Sequence, residues 1–314
     1  MSKNKVQFQK GMSLTDFMNL YGSESQCKAA LFQQRWPQGF RCSECGETHH
    51  CEIKSRHVYQ CNSCHHQTTL YAGTIYEQTK LPLQKWFLAS YLLSQNKDGF
   101  SALNLSRHIG VSYNTAWSVK HKLMQVMLER ERQQPLSGRI EIDDAYWGGE
   151  HTGKRGRGSE NKTPFLAAVE TTEDGKPVRM KMHKVKGFQK KQVKQWGQQQ
   201  IKPGSHAVTD GLSAFNGLDA AGIDHEVIVT GGGRKSVEIL AFFWVNTVLG
   251  NIKTALHGTY HSISNKHLPR YLAEFEYRFN RRFDLPSTLP RLIHACALTP
   301  PMPRRLLKVA EACW

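Results

Sequence analysis

The sequence predicts an α/β fold built on a mixed sheet, entered through two smaller modules. Three observations predict it. After about residue 139 the hydrophobic periodicity runs strand, hairpin, helix, strand, helix, strand, helix. Nearer the N-terminus stand two C-x2-C pairs, and between them and the strands lie two helical repeats separated by a glycine. The expected boundaries are 1–75 for an N-terminal segment and ribbon, 76–132 for a helical module, 133–285 for the α/β core and 286–314 for a C-terminal tail.

Bulk composition limits what such a chain does. Its 314 residues suffice for two or three domains with a sizeable core. Lys and Arg number 42 against 26 Asp and Glu, a formal net charge of +16, and the basic residues recur along the whole length. A polyanion is the natural partner, nucleic acid being the commonest. No run approaches the roughly 18 apolar residues that span a bilayer, and "MSKNKVQFQK" lacks a signal peptide's apolar stretch. A reducing, cytoplasmic setting is therefore expected, in which the eight cysteines serve as metal ligands or free thiols.

The ribbon is justified by spacing. Cys42 and Cys45 form one knuckle, Cys61 and Cys64 another, with 15 residues between the pairs. Each knuckle aims two thiolates at one point, and two together complete a tetrahedral Zn2+ site. So small a ribbon has little core of its own, so the metal is expected to be structural. Cys51, His49, His50, His65 and His66 read as loop residues beside it.

The helical module follows. "LPLQKWFLASYLLSQ" (81–95) repeats its apolar residues near every 3.6 positions, with Pro82 suited to a first turn. Residues 98–124 read as helix, turn at Gly110, helix: Leu103 and Ile109 face inward first, then Ala116, Val119 and Leu123, with Ser112 as cap. In a helix-turn-helix the second helix enters the major groove, and Tyr113, Asn114, Lys120 and Lys122 are the side chains expected to meet bases or phosphates.

In the core, "RIEID" (139–143) is a first strand ending in the paired acids Asp143 and Asp144. Residues 163–185 form a hairpin about Glu173-Asp174-Gly175. "HAVTDG" (206–211) is a short buried strand ending in Asp210. Acids at the C-terminal ends of adjacent strands can share a hard cation, for which Mg2+ is the natural choice; either alone reads first as a turn or helix cap. A long helix from about Ser236 to His257 is apolar nearly all round and should be largely buried. Asn246 interrupts it and Lys253 lies seven positions on, within roughly 20° of the same azimuth and about 10 Å further along. Gly250 between them leaves open space on that stripe. The plainer reading gives Asn246 a backbone partner and lets Lys253 reach solvent.

Several stretches resemble a bacterial insertion-sequence transposase of the ISXO-like group, which joins a zinc ribbon and a helix-turn-helix to an RNase H-like core of DDE type, with Asn for Glu in some branches. They include "CKAALFQQRWPQGFRCSECG", "IEIDDAYWGG", "VTDGLSAFNGL" and the block from "NTVLGNIKTALHGTYH" to "EFEYRFNRR". The resemblance implies Asp143, Asp210 and Asn246 as ligands of Mg2+ or Mn2+, with Lys253 as the accompanying basic residue. Thirty-five residues separate Asp210 from Asn246. Asp144 stands where the pattern often has Glu and is taken as a neighbour; Glu238 and Glu274 are rival third acids. Also implied are two-metal phosphoryl transfer without ATP or any nucleotide cofactor, double-stranded DNA as partner, assembly as a homo-oligomer on DNA, and a nucleoid-associated location. The basic loop 150–162, with Lys154, Arg155 and Arg157, is expected on phosphates or as a solvated insertion. A zinc-dependent transcription regulator, a stand-alone nuclease and an inactive transposase relic are the alternatives.

Overall fold

The computed structural model describes residues 6, 9–148, 162–229, 239–260 and 263–310. The chain divides into two compact units, Met1–Met127 with Arg281–Trp314, and Leu128–Asn280. The ribbon and the helical module thus belong to one unit, and residues 286–314 join them instead of forming a separate tail.

In the first unit, α1 (Leu14–Tyr21) and α2 (Glu24–Arg35) each begin with a capping box, Ser13 with Asp16 and Ser23 with Gln26. Strands β1 (His50–Ile53), β2 (Val58–Cys61) and β3 (Gln67–Thr69) make a small antiparallel sheet. Its core is only Phe40, Cys42 and Cys61, backed by Phe32, Trp36 and Tyr59. Helix α3 (Leu83–Gln95) precedes the predicted pair, α4 (Ala102–Ile109) and α5 (Tyr113–Arg132), with Gly110 between them at φ +59°. That left-handed conformation suits glycine and ends α4. The Ser112 hydroxyl accepts from Thr115 N–H at the start of α5.

The second unit holds a five-stranded sheet: β4 (Arg139–Trp147), β5 (Thr163–Thr171), β6 (Pro177–Lys184), β7 (His206–Thr209) and β8 (Asp224–Val227), in the order β6-β5-β4-β7-β8. The first three form an antiparallel meander, and β7 and β8 add parallel to β4. This mixed sheet has the RNase H-like arrangement expected of the core. Helix α6 (Lys190–Gln200) covers one face through Val193 and Trp196, packed with Ile140, Ile142, Leu166 and Ala168. Helices α7 (Phe243–Thr259) and α8 (Leu268–Asn280) cover the other, packed with Ala145, Trp147, Ala167 and Met180. Strand alternation therefore puts Glu141, Asp143, Ala145 and Trp147 on the α7 face. The outer edge of β6 is closed by α8, where Asn280 and Glu276 accept from the N–H groups of Met180 and Met182.

Two more helices complete the first unit, α9 (Leu285–Leu298), packed on α2 and α3, and α10 (Arg304–Val309). Leu289, Leu292, Ile293 and Cys296 bury the inner side of α9. Pro286 lies in its first turn, where a missing N–H costs nothing, and Pro290 removes one bond further in.

Two expectations need correction. Strand β4 does not end at the acids but continues to Trp147, held by β5 along its whole length. Helix α7 is not buried all round: Val245, Val248, Leu249, Ile252, Ala255 and Leu256 face the sheet, while Phe243, Gly250 and Lys253 are exposed. An apolar residue such as Phe243 raises the hydropathy of the sequence without being taken into the core.

Candidate active site

The parallel pairing of β4 with β7 stops at Glu141 opposite Val208. Asp143 and Asp210 each stand two residues beyond that last pair, so the register brings them level where β4 has lost its neighbour. Asp210 directly follows Thr209, the last residue of β7. Carboxylate oxygens of Asp143, Asp144 and Asp210 all lie within 4.8 Å of one another.

Such crowding is electrostatically costly. Burial pushes the Asp143 carboxyl up to about 7, and the charges of Asp144 and Asp210 push the same way. The backbone N–H of Asp144, 2.8 Å from Asp143 Oδ1, and the Lys253 ammonium oppose the rise. A divalent cation among the three relieves the repulsion, and a set of hard oxygen donors suits Mg2+ or Mn2+. Asp210 also turns the chain, its Oδ1 accepting from Leu212 N–H at 3.1 Å. The cap reading and the ligand reading coexist there, since a carboxylate has several acceptor positions.

Helix α7 packs across β4 and β5 and carries Asn246, half-buried, and Lys253, exposed. Among the described residues, nothing beyond its chain neighbours and its own helix backbone lies within 4 Å of where a Gly250 side chain would begin, so the helix surface is open at that point between Asn246 and Lys253. Of the rival acids, Glu274 is buried and engaged by the Tyr260 hydroxyl at 3.1 Å and Arg278 at 2.8 Å. Glu238 lies outside the described residues.

Asp144 joins the carboxylate cluster, which the sequence reading did not expect. Glu141 was also passed over. It is 2% exposed, and its carboxylate accepts the N–H groups of Trp244 and Val245 at 2.8 and 3.0 Å. The available signal was an acid on an inward-facing strand position, which needs a partner.

The four ribbon cysteines come together as the spacing predicts. Their sulfurs lie within 4.8 Å of one another, Cys42 to Cys64 at 3.6 Å and Cys45 to Cys61 at 3.5 Å. Four sulfurs about 2.3 Å from one Zn2+ would be about 3.8 Å apart, so the quartet fits a tetrahedral ion. The N–H of Cys45 is the chief influence holding the Cys42 thiol below the usual range, whereas Cys45 and Cys64 are held above it, so a shared cation is what would make all four thiolates.

The groove-facing set is only half as expected. Tyr113 is 53% exposed and Asn114 is exposed, with its Oδ1 accepting from Arg304 at 3.0 Å. Lys120 is fully buried and donates to the Phe100 carbonyl at 2.7 Å. Lys122 is half-buried, donates to the Ile75 carbonyl at 3.3 Å and lies over the Trp86 ring. Lys120 is thus taken up by the fold and Lys122 partly so, in a stretch of α5 where Val119, His121, Leu123 and Met124 are also buried. Lys154, Arg155 and Arg157 lie outside the described residues.

Residues 135–280 match the ISXO2-like transposase domain family, and residues 22–67 match a transposase zinc-ribbon domain. A protein of Halobacterium salinarum described as an uncharacterized protein in transposable element ISH50 is 31% identical over 127 residues, 40% of this chain and 42% of the relative. The match thus spans less than half of that relative's length. Among solved structures, the Mos1 transposase paired-end complex with left transposon end aligns at 10% identity and TM-score 0.21, covering 63% of this chain and 77% of that one. A pre-cleavage Mos1 transpososome aligns at 8% identity and TM-score 0.20, covering 62% and 76%.

Proposed function

We propose that this chain, which joins a transposase zinc ribbon to an ISXO2-like transposase domain, is the transposase of a bacterial insertion sequence. It binds the element's terminal inverted repeats and catalyses Mg2+-dependent cleavage and transfer of DNA strands. The observation that carries this reading is the meeting of Asp143 and Asp210, 67 positions apart in the chain, at one point inside the matched domain.

Asp143 and Asp210 would hold the divalent ions with the side-chain oxygen of Asn246, and Asp144 offers a further carboxylate. Bound Mg2+ or Mn2+ supplies Lewis-acid stabilisation of the charge that develops on the transferring phosphoryl group and a nucleophile active at neutral pH. With an amide at Asn246, the negative charge of the set rests on Asp143, Asp210 and their neighbour Asp144, and an oxygen of the scissile phosphate would add to it. Lys253 then neutralises a neighbouring phosphate, and the open stripe over Gly250 admits the DNA backbone.

The four cysteines hold a structural Zn2+. At the helix-turn-helix, the exposed start of α5 at Tyr113 and Asn114 is the groove-facing end. The loop residues Lys154, Arg155 and Arg157 would supply phosphate contacts. Pairing of two element ends calls for at least a dimer, working on chromosomal DNA in the cytoplasm.

A strand-joining assay with the element's terminal repeats separates this reading from its rivals. Wild-type protein with Mg2+ cuts and joins; Asp143→Asn and Asp210→Asn bind the repeats but cut at least about 100-fold more slowly. Binding without cutting identifies a regulator or relic, cutting without joining a nuclease, and full cleavage by either variant removes the metal-site assignment.

A further inference from the structure

Helix α7 has no cap of its own. Its N-cap residue is Phe242, with no side-chain hydrogen bond, and no acid lies in its first turn. The N–H groups there are nevertheless satisfied, because Glu141 Oε2, about 100 residues earlier in the chain, accepts from both Trp244 and Val245. The other oxygen, Oε1, takes Arg139 Nη1 at 3.2 Å. Arg139 Nη2 in turn donates to the Ala241 carbonyl at 3.3 Å, and its Nη1 also reaches Thr171 Oγ1. Two side chains on one face of β4 thus grip both the carbonyl before α7 and the amides of its first turn.

The position of this grip matters. Glu141 and Asp143 share a strand face two residues apart, roughly 7 Å along β4. Val245, gripped by Glu141, is followed directly by Asn246, and Lys253 lies two turns on. Fixing the start of α7 to β4 at Glu141 sets the height of Asn246 and Lys253 along the strand that carries Asp143. The Lys253 charge already acts on Asp143.

We propose that Arg139 and Glu141 are positioning residues of the metal site: they hold the entry of α7 on β4 so that the Asn246 oxygen is delivered to the ion bound by Asp143 and Asp210. This rests on the active-site reading above. Neither residue touches the reacting atoms.

The test measures Mn2+ affinity of the full-length chain by electron paramagnetic resonance of free Mn2+, below the melting temperature of each variant. Glu141→Ala should weaken binding about 10-fold or more, the usual effect of losing a group that orients a ligand. Glu141→Gln keeps a carbonyl oxygen for the Trp244 and Val245 amides and should restore most of the affinity. The double variant Glu141→Ala with Asn246→Ala should bind no more weakly than Glu141→Ala alone, since both remove one ligand. A residue serving stability alone would lower the melting temperature and leave the affinity of the folded protein unchanged, which overturns the proposal. Losses that multiply in the double variant overturn it too. Should Glu141→Ala not fold, Arg139→Met carries the test, with a several-fold loss expected and an unchanged affinity contradicting it. Asp143→Asn separates the levels: unchanged Mn2+ affinity there removes the active-site reading itself, whereas a loss there with none at Glu141 removes only the grip.

Discussion

On the proposed reading, Gly250 serves the site at a cost to the fold. In a helix interior glycine is about 1 kcal/mol less favourable than alanine, and among the described residues no neighbouring element crowds this one. Gly250→Ala should therefore raise the melting temperature. Gly250→Trp should keep the protein folded yet obstruct the stripe between Asn246 and Lys253. Thermal melts and strand cleavage measured on both variants decide the matter: tryptophan with full cleavage would mean that no DNA passes over α7. At this scale the sequence was readable where chemistry dictates spacing, as in the cysteine knuckles, whose four sulfurs converge. It misled at Lys120, because a helix enclosed on several sides buries a lysine whose ammonium group finds a carbonyl. It was silent on Glu141, whose partners come from a helix about 100 residues away.

Among the elements, α6 is charged against its own dipole. Lys190, Lys191 and Lys194 are exposed in its first turns, and Gln189 gives no side-chain cap. Cations there oppose the macrodipole by about 0.3–1 kcal/mol each. The helix begins beyond Lys184, which pairs with Phe165 and through it lies level with Ala145, two residues past Asp143. The 3-10 turn Ser213–Gly217 that follows Asp210 backs closely on the Lys190 carbonyl. Between Asp174 and Asp210 the chain has nine Lys and Arg and no acid. The exposed lysines among them, those of the first turns of α6 included, suit a phosphate backbone. Replacing Lys190 and Lys191 with Glu should raise the melting temperature while weakening DNA binding most at low salt; unchanged affinity across a salt titration would leave these lysines as solvated charge. Element types were readable from periodicity, the β5–β6 hairpin best of all, since its turn carries Gly175 at φ +70°. The full length of β4 was not, since what carries it past the acids to Trp147 is pairing with β5.

Over the whole molecule, the order of strands along the chain was readable but their order in the sheet was not. Nothing local in "HAVTDG" says that β7 lies beside β4 and not at an edge. That adjacency is what turns two aspartates 67 positions apart into neighbours, and with them the likeness to a transposase core acquires a physical basis. The C-terminal segment was likewise opaque, because its prolines hid a helix whose apolar face packs on α2 and α3. Among the described residues, no helix is long and apolar enough to cross a membrane. The most direct measurement is anomalous scattering from Mn2+ in crystals of the full-length chain with its terminal-repeat DNA. The account predicts an ion bonded to carboxylates of both Asp143 and Asp210, with the Asn246 oxygen in the same coordination shell. An Mn2+ signal only elsewhere, or the two aspartates sharing no ion, would contradict it.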